Sequence, residues 1–276
     1  MTEAAGVTFY VLLALFPAIA SFISIYGLFA NPASLTNQLQ NLGGMIPVGG
    51  VDIIQTQVTA LASNGQKALG FGAALGLATS LWSANVGMKS LFGALNAVYH
   101  EHEKRSFVRF ALTAFAFTLG AVLFATIALL AVMGVPVILN FVGLSSATEM
   151  LLRFIRWPFM LVTLTMALAL SYRYGPSRNK ARWQWVSWGG AVAAILWIAA
   201  SFAFSYYVAN FGSDNKTYGA LGAVIGFMTW IWISIIVVLM GAELNAELER
   251  QTERDSTVGP AKPQGVRGAF AADVKS

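Results

Sequence analysis

The stretch "SWGGAVAAILWIAASFAFSYYVAN", residues 187–210, holds no Asp, Glu, Lys or Arg in 24 positions. At about 1.5 Å per residue, a helix of that length exceeds the ~30 Å hydrocarbon core of a bilayer. A lone segment can satisfy its own backbone hydrogen bonds in lipid only as a helix. The whole chain has the same character. Of its 276 residues 57% are hydrophobic and 11% charged, against roughly 25% charged in soluble domains. One soluble core of this size could not hide so much apolar surface, so lipid must cover the rest.

Working outward from that stretch, six segments are long and apolar enough to span: about 6–30, 68–88, 108–134, 151–172, 187–210 and 218–242. The first is read as a span rather than a signal peptide. It lacks a basic leading region and a small-x-small cleavage site, and it carries Pro17 mid-run. The expected fold is all-α, a polytopic membrane helix bundle of six transmembrane helices forming one domain over 1–250. Residues 251–276 lack apolar periodicity and are expected to be a disordered cytoplasmic tail. In the connection after the first span, Val51, Ile54, Val58 and Leu61 recur at helical spacing, which predicts a short interfacial helix.

Charge sets the orientation. With both termini cytoplasmic, thirteen of the 17 Lys and Arg residues fall on the inner side, leaving Lys67, Arg153, Arg156 and Lys216 outside. That is a strong positive-inside bias. The net charge of +5 is therefore a topology signal, and nucleic acid is not an expected partner. The absence of cysteine excludes disulfides, Cys-based zinc sites and a thiolate nucleophile. Trp183, Trp185 and Trp188 cluster where the fifth span would enter the membrane, as an aromatic belt does. Pro17 and Pro158 lie in or near the ends of spans as candidate kinks, and Pro136 marks the end of the third. Gly72 with Gly76, and Gly222 with Gly226, make small-xxx-small faces suited to close helix approach or homo-oligomerisation. Membrane lipids are the other expected partners.

A second stretch, "SLWSANVGMKSLFGALNAVYHEHEK" at 80–104, breaks the pattern. On a helix Asn85, Lys89 and Asn96 fall within about 40° of one another, at and just below the inner surface. Trp82, Phe92 and Tyr99 extend that stripe. Two readings stay open. Lys89 snorkels to headgroups while the asparagines bond between helices, or the stripe lines a cavity facing the cytoplasm. Glu243 and Asn245, at the end of the sixth span, would lie at similar depth, and Glu243 is a candidate partner for Lys89. Arg153 and Arg156 are interfacial anchors or anionic headgroup contacts, and Arg173 joins them as a headgroup candidate. His100 and His102 alternate, which splays them apart on a helix, so no metal site is expected, nor any cofactor. Nothing matches a Walker loop, a zincin helix or a nucleophile elbow. The chain is not expected to be an enzyme.

Four stretches, "YVLLALFPAI", "LWSANVGMKSLFGALNAVY", the region from "YRYGPSRNKARW" to "GFMTWIWI", and "LMGAELNAELE", together resemble the YihY/BrkB family of bacterial inner-membrane proteins. The likeness runs from about residue 5 to 250. The matching positions are Pro17, Trp82, Asn96, Tyr99, Arg173, Pro176, Trp197, Tyr207, Tyr218, Gly219, Trp230, Gly241, Glu243 and Asn245. The resemblance implies a multi-pass inner-membrane location. Its members carry labels as different as virulence factor, ribonuclease, cation/proton antiporter and lipid exporter. Phosphodiester hydrolysis wants clustered carboxylates with metals or paired acids and bases, which this chain lacks. The expectation is a transporter or exporter of a lipid-like or ionic substrate, passing Asn85, Lys89, Asn96, Glu243 and Asn245. The alternative is a non-transporting scaffold that organises the envelope.

Overall fold

The computed structural model describes residues 1–14, 65–129, 146–211 and 219–274. Within them lie seven helices: α1 (Thr2–Ala14), α2 (Gly65–Val98), α3 (Phe107–Leu129), α4 (Ser146–Tyr174), α5 (Trp183–Phe211), α6 (Gly219–Arg250) and the single turn α7 (Phe270–Asp273). The protein is all-α. Windows in three helices are long and apolar enough to cross a membrane: Phe107–Phe124, Trp183–Val208 and Val224–Arg250. At most 17% of any of these windows is buried, so their apolar side chains point outward. Leu112, Leu123, Ile195 and Phe202 are all more than half exposed. A surface of this kind is stable only when lipid is its solvent.

α2 and α4 are 34 and 29 residues long, with Pro158 inside α4, and they overlap the expected second and fourth spans. The remainder of the first span with Pro17, the interfacial helix at 51–61, the third span's end with Pro136, and Lys216 lie outside the described residues. Among the described residues, three helices therefore qualify as spans by length and composition.

The chain divides into two compact units. The first comprises Met1–Ser90 and Ala200–Ile235. Here α1 lies close against α2 because small residues meet at the contact. A Cβ on Gly87 would touch Tyr10 and Val11 at 3.5–3.7 Å, and Gly6 faces the Ser90 hydroxyl. Of the expected small faces, Gly76 is buried and Gly226 has open space beside it, while the surroundings of Gly72 and Gly222 lie outside the described residues.

The second unit comprises Leu91–Ala199 and Ile236–Ser276. Its core is the contact of α5 with α4 and α6, made by the consecutive glycines 189 and 190. Gly189 faces the backbone of Gly241 and the amide of Asn245 on α6, and Gly190 faces Thr165 and Ala169 on α4. The buried Tyr172 hydroxyl of α4 donates to the Val238 carbonyl of α6 at 2.7 Å. α2 ends in a Schellman turn. The Glu101 N–H donates to Asn96 O at 2.8 Å and the His100 N–H to Ala97 O at 3.1 Å, with His100 at φ 54°. A histidine occupies the left-handed position that glycine usually fills, and the turn aims Glu101 back into the unit.

Residues 251–274, the described part of the C-terminal segment, carry hydrogen bonds of their own. Arg267, 5% exposed, donates to the carbonyls of Glu253, Lys262 and Ala272, and so gathers the segment around one guanidinium. The Asp273 carboxylate accepts from the N–H groups of Gly265, Arg267 and Gly268. An isolated bridge pairs Ala181 with Thr257, and the Phe270 N–H donates to Glu101 at 2.7 Å. Apolar periodicity could not reveal this segment, because a buried arginine and its carbonyl partners replace an apolar core.

Candidate functional site

The ends of α2, α4 and α6, with the loops at 99–106 and 175–182, form a polar cluster in the second unit. It starts at Asn96, 7% exposed. Its Oδ1 accepts from the Ser177 N–H at 2.7 Å, and its Nδ2 donates to Glu103 at 3.1 Å. Glu103 in turn accepts two side-chain bonds from Arg105, both at 2.7 Å, and the Arg105 backbone N–H at 3.0 Å. The same guanidinium donates to the carbonyls of Tyr174 and Gly175 that α4 leaves unpaired at its end. Partial burial alone would raise the Glu103 carboxyl, but the hydrogen bonds from Arg105 and Asn96 outweigh it and hold the pKa at about 2.

That depression has a measurable consequence. A carboxylate held below its ordinary 4.5 contributes stability that is complete above that value and is lost as pH falls towards the folded value. Glu103→Gln should lower stability by about 1–2 kcal/mol at pH 7. In thermal unfolding at stepped pH, the gap between wild type and variant should close between about pH 4.5 and 2. A gap that stays constant with pH would show that Glu103 acts through shape alone.

Deeper in the cluster, Arg178 and Glu249 form a bidentate pair at 2.7 and 3.0 Å with both side chains 0% exposed. Ser256, from the C-terminal segment, donates a third bond to Glu249 at 2.7 Å. The guanidinium lies 4.2 Å from the ring centroid of Tyr99. Burial pushes the Tyr99 hydroxyl well above its ordinary range, with Arg178 opposing. For Arg178, burial favours the neutral form, yet the Glu249 charge and hydrogen bonds prevail and keep it cationic.

The walls of this cluster enclose a cavity of about 630 Å³. Six of its thirteen lining residues are cations, Lys104, Arg105, Arg109, Arg173, Arg178 and Lys180, and none is acidic. Three are neutralised by carboxylates outside the lining: Arg105 by Glu103, Arg178 by Glu249, and Lys104 by Glu101 at 2.8 Å. For Arg109, Arg173 and Lys180 no carboxylate partner occurs among the described residues.

The expected site residues separate accordingly. Asn85 and Lys89 belong to the first unit and are half-buried; Asn96, Arg173, Glu243 and Asn245 belong to the second, with Glu243 exposed. Asn245, 0% exposed, accepts from the Gly189 N–H at 2.8 Å and donates to Val186 O at 3.4 Å, so its amide ties α6 to α5. The Asn96 amide is likewise committed to protein groups. Arg173 lines the cavity. The side chains of Arg153 and Arg156, on α4, lie outside the described residues. Arg178 and Glu249 escaped sequence reading because 71 residues separate them. Glu103 and Arg105 stand two residues apart, but the Tyr174 and Gly175 carbonyls that seat Arg105 are 69 and 70 residues away. The Arg-rich run from 173 to 182 was the available signal; beyond Arg173, a headgroup candidate, its cations were counted as topology.

The chain resembles known proteins over most of its length. The family profile described as "Virulence factor BrkB" matches residues 1–265. A "Putative ribonuclease-like protein YfkH" of Bacillus subtilis (strain 168) is 28% identical over 258 residues, covering 91% of this chain and 90% of that one. The "UPF0761 membrane protein PBPRA3489" of Photobacterium profundum is 29% identical over 255 residues, covering 90% and 76%. A UPF0761 membrane protein of Tolumonas auensis is 43% identical over 67 residues, covering 24% and 22%. No solved structure matches. With its outward-facing apolar helices, its membrane-protein relatives and a profile match spanning nearly every residue, the chain is a membrane protein of the Virulence factor BrkB family.

Proposed function

We propose that this protein is a six-span inner-membrane transporter or exporter, with both termini cytoplasmic, whose substrate is anionic and lipid-like. The observation that carries the reading is the cationic cavity of about 630 Å³ in a unit whose helices turn apolar side chains outward. An amphipathic anion suits both surfaces at once, its head in the cavity and its chain along the helices. The thirteen-to-four distribution of cations favours a cytoplasmic side for the cavity's loops. Glu243, exposed in the cavity's own unit, is the pathway residue of this reading. Hydrolysis is disfavoured because the carboxylates nearest the cavity, Glu101, Glu103 and Glu249, are each engaged by a cation, whereas a general base needs a free lone pair aimed at its proton.

The test is movement of lipid in sealed vesicles. Phosphatidylglycerol carrying a headgroup fluorophore is scored by the fraction that dithionite bleaches from outside. The protein should speed its exchange between leaflets at least about tenfold over empty vesicles, and Glu243→Gln should abolish the gain. An internal pH dye pulsed with sodium, then potassium, covers the ionic version of the substrate. Silence in both assays, in vesicles shown to be sealed, would overturn transport in favour of the scaffold, for which mutation of the Gly76 face would be the damaging change.

A further inference from the structure

We propose that the cationic cavity is a phosphate site, and that Arg109, Arg173 and Lys180 are the groups that hold the phosphate. This deepens the transport reading, on which it rests, by naming the chemistry of the substrate's head.

Arg173 is the first support. It stands at the last turn of α4 and lines the cavity. Its Nε and Nη1 are buried with no hydrogen-bond acceptor among the described residues. Buried donors are nearly always paired, and orphaned ones on a charged group are costly. The side chain is nonetheless held in place by rings. Trp183 lies 4.4 Å and Tyr174 5.5 Å from the guanidinium carbon. A ring against the face of a guanidinium leaves its in-plane N–H edge for an acceptor, and that fork matches two oxygens of a phosphate as well as those of a carboxylate.

Charge supplies the second support. Three lining cations are already neutralised, and none of the carboxylates that do so is among the lining residues. Arg109 and Lys180 are exposed and, with Arg173, carry three positive charges into one cavity. Lys180 is steadied 4.9 Å from the Tyr174 ring. Like charges gathered this way repel unless an anion joins them. A carboxylate brings one charge and two oxygens. A phosphate group brings about −1.5 to −2 with three acceptor oxygens, and so matches the three cations better.

The third is place. Ser106 and Arg109 of the lining flank the start of α3, so the positive end of that helix dipole adds to the field. The other walls belong to the loop after α4 and, through Gly268, to the C-terminal segment.

The phosphate could be that of a lipid headgroup or of a soluble compound, and one set of titrations separates the two. Full-length protein, stripped of lipid in neutral detergent, is titrated with fluorescent phosphatidic acid, with fluorescent oleate and with inorganic pyrophosphate as competitor. Phosphatidic acid should bind at least about tenfold tighter than oleate. Arg173→Gln should weaken it about tenfold, and Arg109→Gln with Lys180→Gln by a similar factor, leaving oleate unchanged. The last two positions are exposed, so that double variant keeps the wild-type melting temperature even if Arg173→Gln does not. Arg173→Lys, which keeps charge but not the fork, should fall between. Displacement of the lipid by pyrophosphate assigns recognition to the phosphate alone; no displacement, with the variants still weakened, assigns it to a lipid-borne phosphate. Pyrophosphate binding that needs the three cations, without preference for phosphatidic acid over oleate, assigns a soluble phosphate. Equal binding by wild type and both variants for every phosphate probe would overturn the site. Binding is read here without flux, so a phosphate site in a protein that moves no lipid would defeat only the transport reading.

Discussion

Glu249→Ala is expected to cost about 3–5 kcal/mol, because it leaves the Arg178 guanidinium buried without its counter-charge. Both side chains are 0% exposed, and Arg178 is enclosed by the Tyr99 ring on one face. Such a loss is a large share of the roughly 5–15 kcal/mol that stabilises a typical folded protein. It should appear as a fall in melting temperature and in the yield of folded protein extracted from membranes. Glu249→Gln keeps an acceptor for Arg178 and for Ser256, so its effect should be smaller. Replacing both Arg178 and Glu249 by Met should recover most of the loss, since the pair's worth lies in mutual neutralisation. A Glu249→Ala protein as stable as wild type would mean that water reaches Arg178.

The second large effect is steric. A Cβ on Gly189 would meet the Gly241 carbonyl oxygen and come within 2.5 Å of the Asn245 amide. One obstacle is backbone and the other an amide held by two hydrogen bonds, so neither can yield cheaply. Gly189→Ala should cost about 3 kcal/mol, the upper end for overpacking. Two neighbouring comparisons fix the scale. Gly190→Ala brings its Cβ to 3.1 Å from Thr165 O, a milder strain, and should cost about 1 kcal/mol. Gly93, exposed on α2 with nothing within 4 Å of an added Cβ, should instead gain about 0.5–1 kcal/mol as alanine, through helix propensity. Thermal unfolding of the three variants in one detergent gives the order. An unchanged midpoint for Gly189→Ala would show that α5 and α6 part easily.

Long apolar runs made α3, α5 and α6 legible, because lipid requires nothing of a helix except length and composition. The stripe at 82–99 was legible as a periodicity but not as a destination. Phe92, Asn96 and Tyr99 are buried in the second unit, whereas Trp82 is 74% exposed. The Schellman end of α2 was hidden because its left-handed residue is His100, not glycine. Arg178 was counted only as an inner-side cation, since nothing local announces Glu249, 71 residues further on. The glycine pair 189–190 lay within the quoted stretch, but which helix each faces depends on tertiary packing. What stayed unread were contacts between distant parts of the chain, which carry no period.

That distance has a consequence for synthesis. Glu101 accepts from the Phe270 N–H across 169 residues. At about 5–20 residues per second, a ribosome takes roughly 8–34 s to cover that interval. Until then Glu101 lacks this donor, and Ser256 and Gly268, which meet Glu249 and the cavity wall, are made only in the same late stretch. The cationic loops are therefore finished last, after the helices have been made. A nascent chain stalled before α7 would hold its long helices and its lining cations while Glu101 still lacked the Phe270 donor.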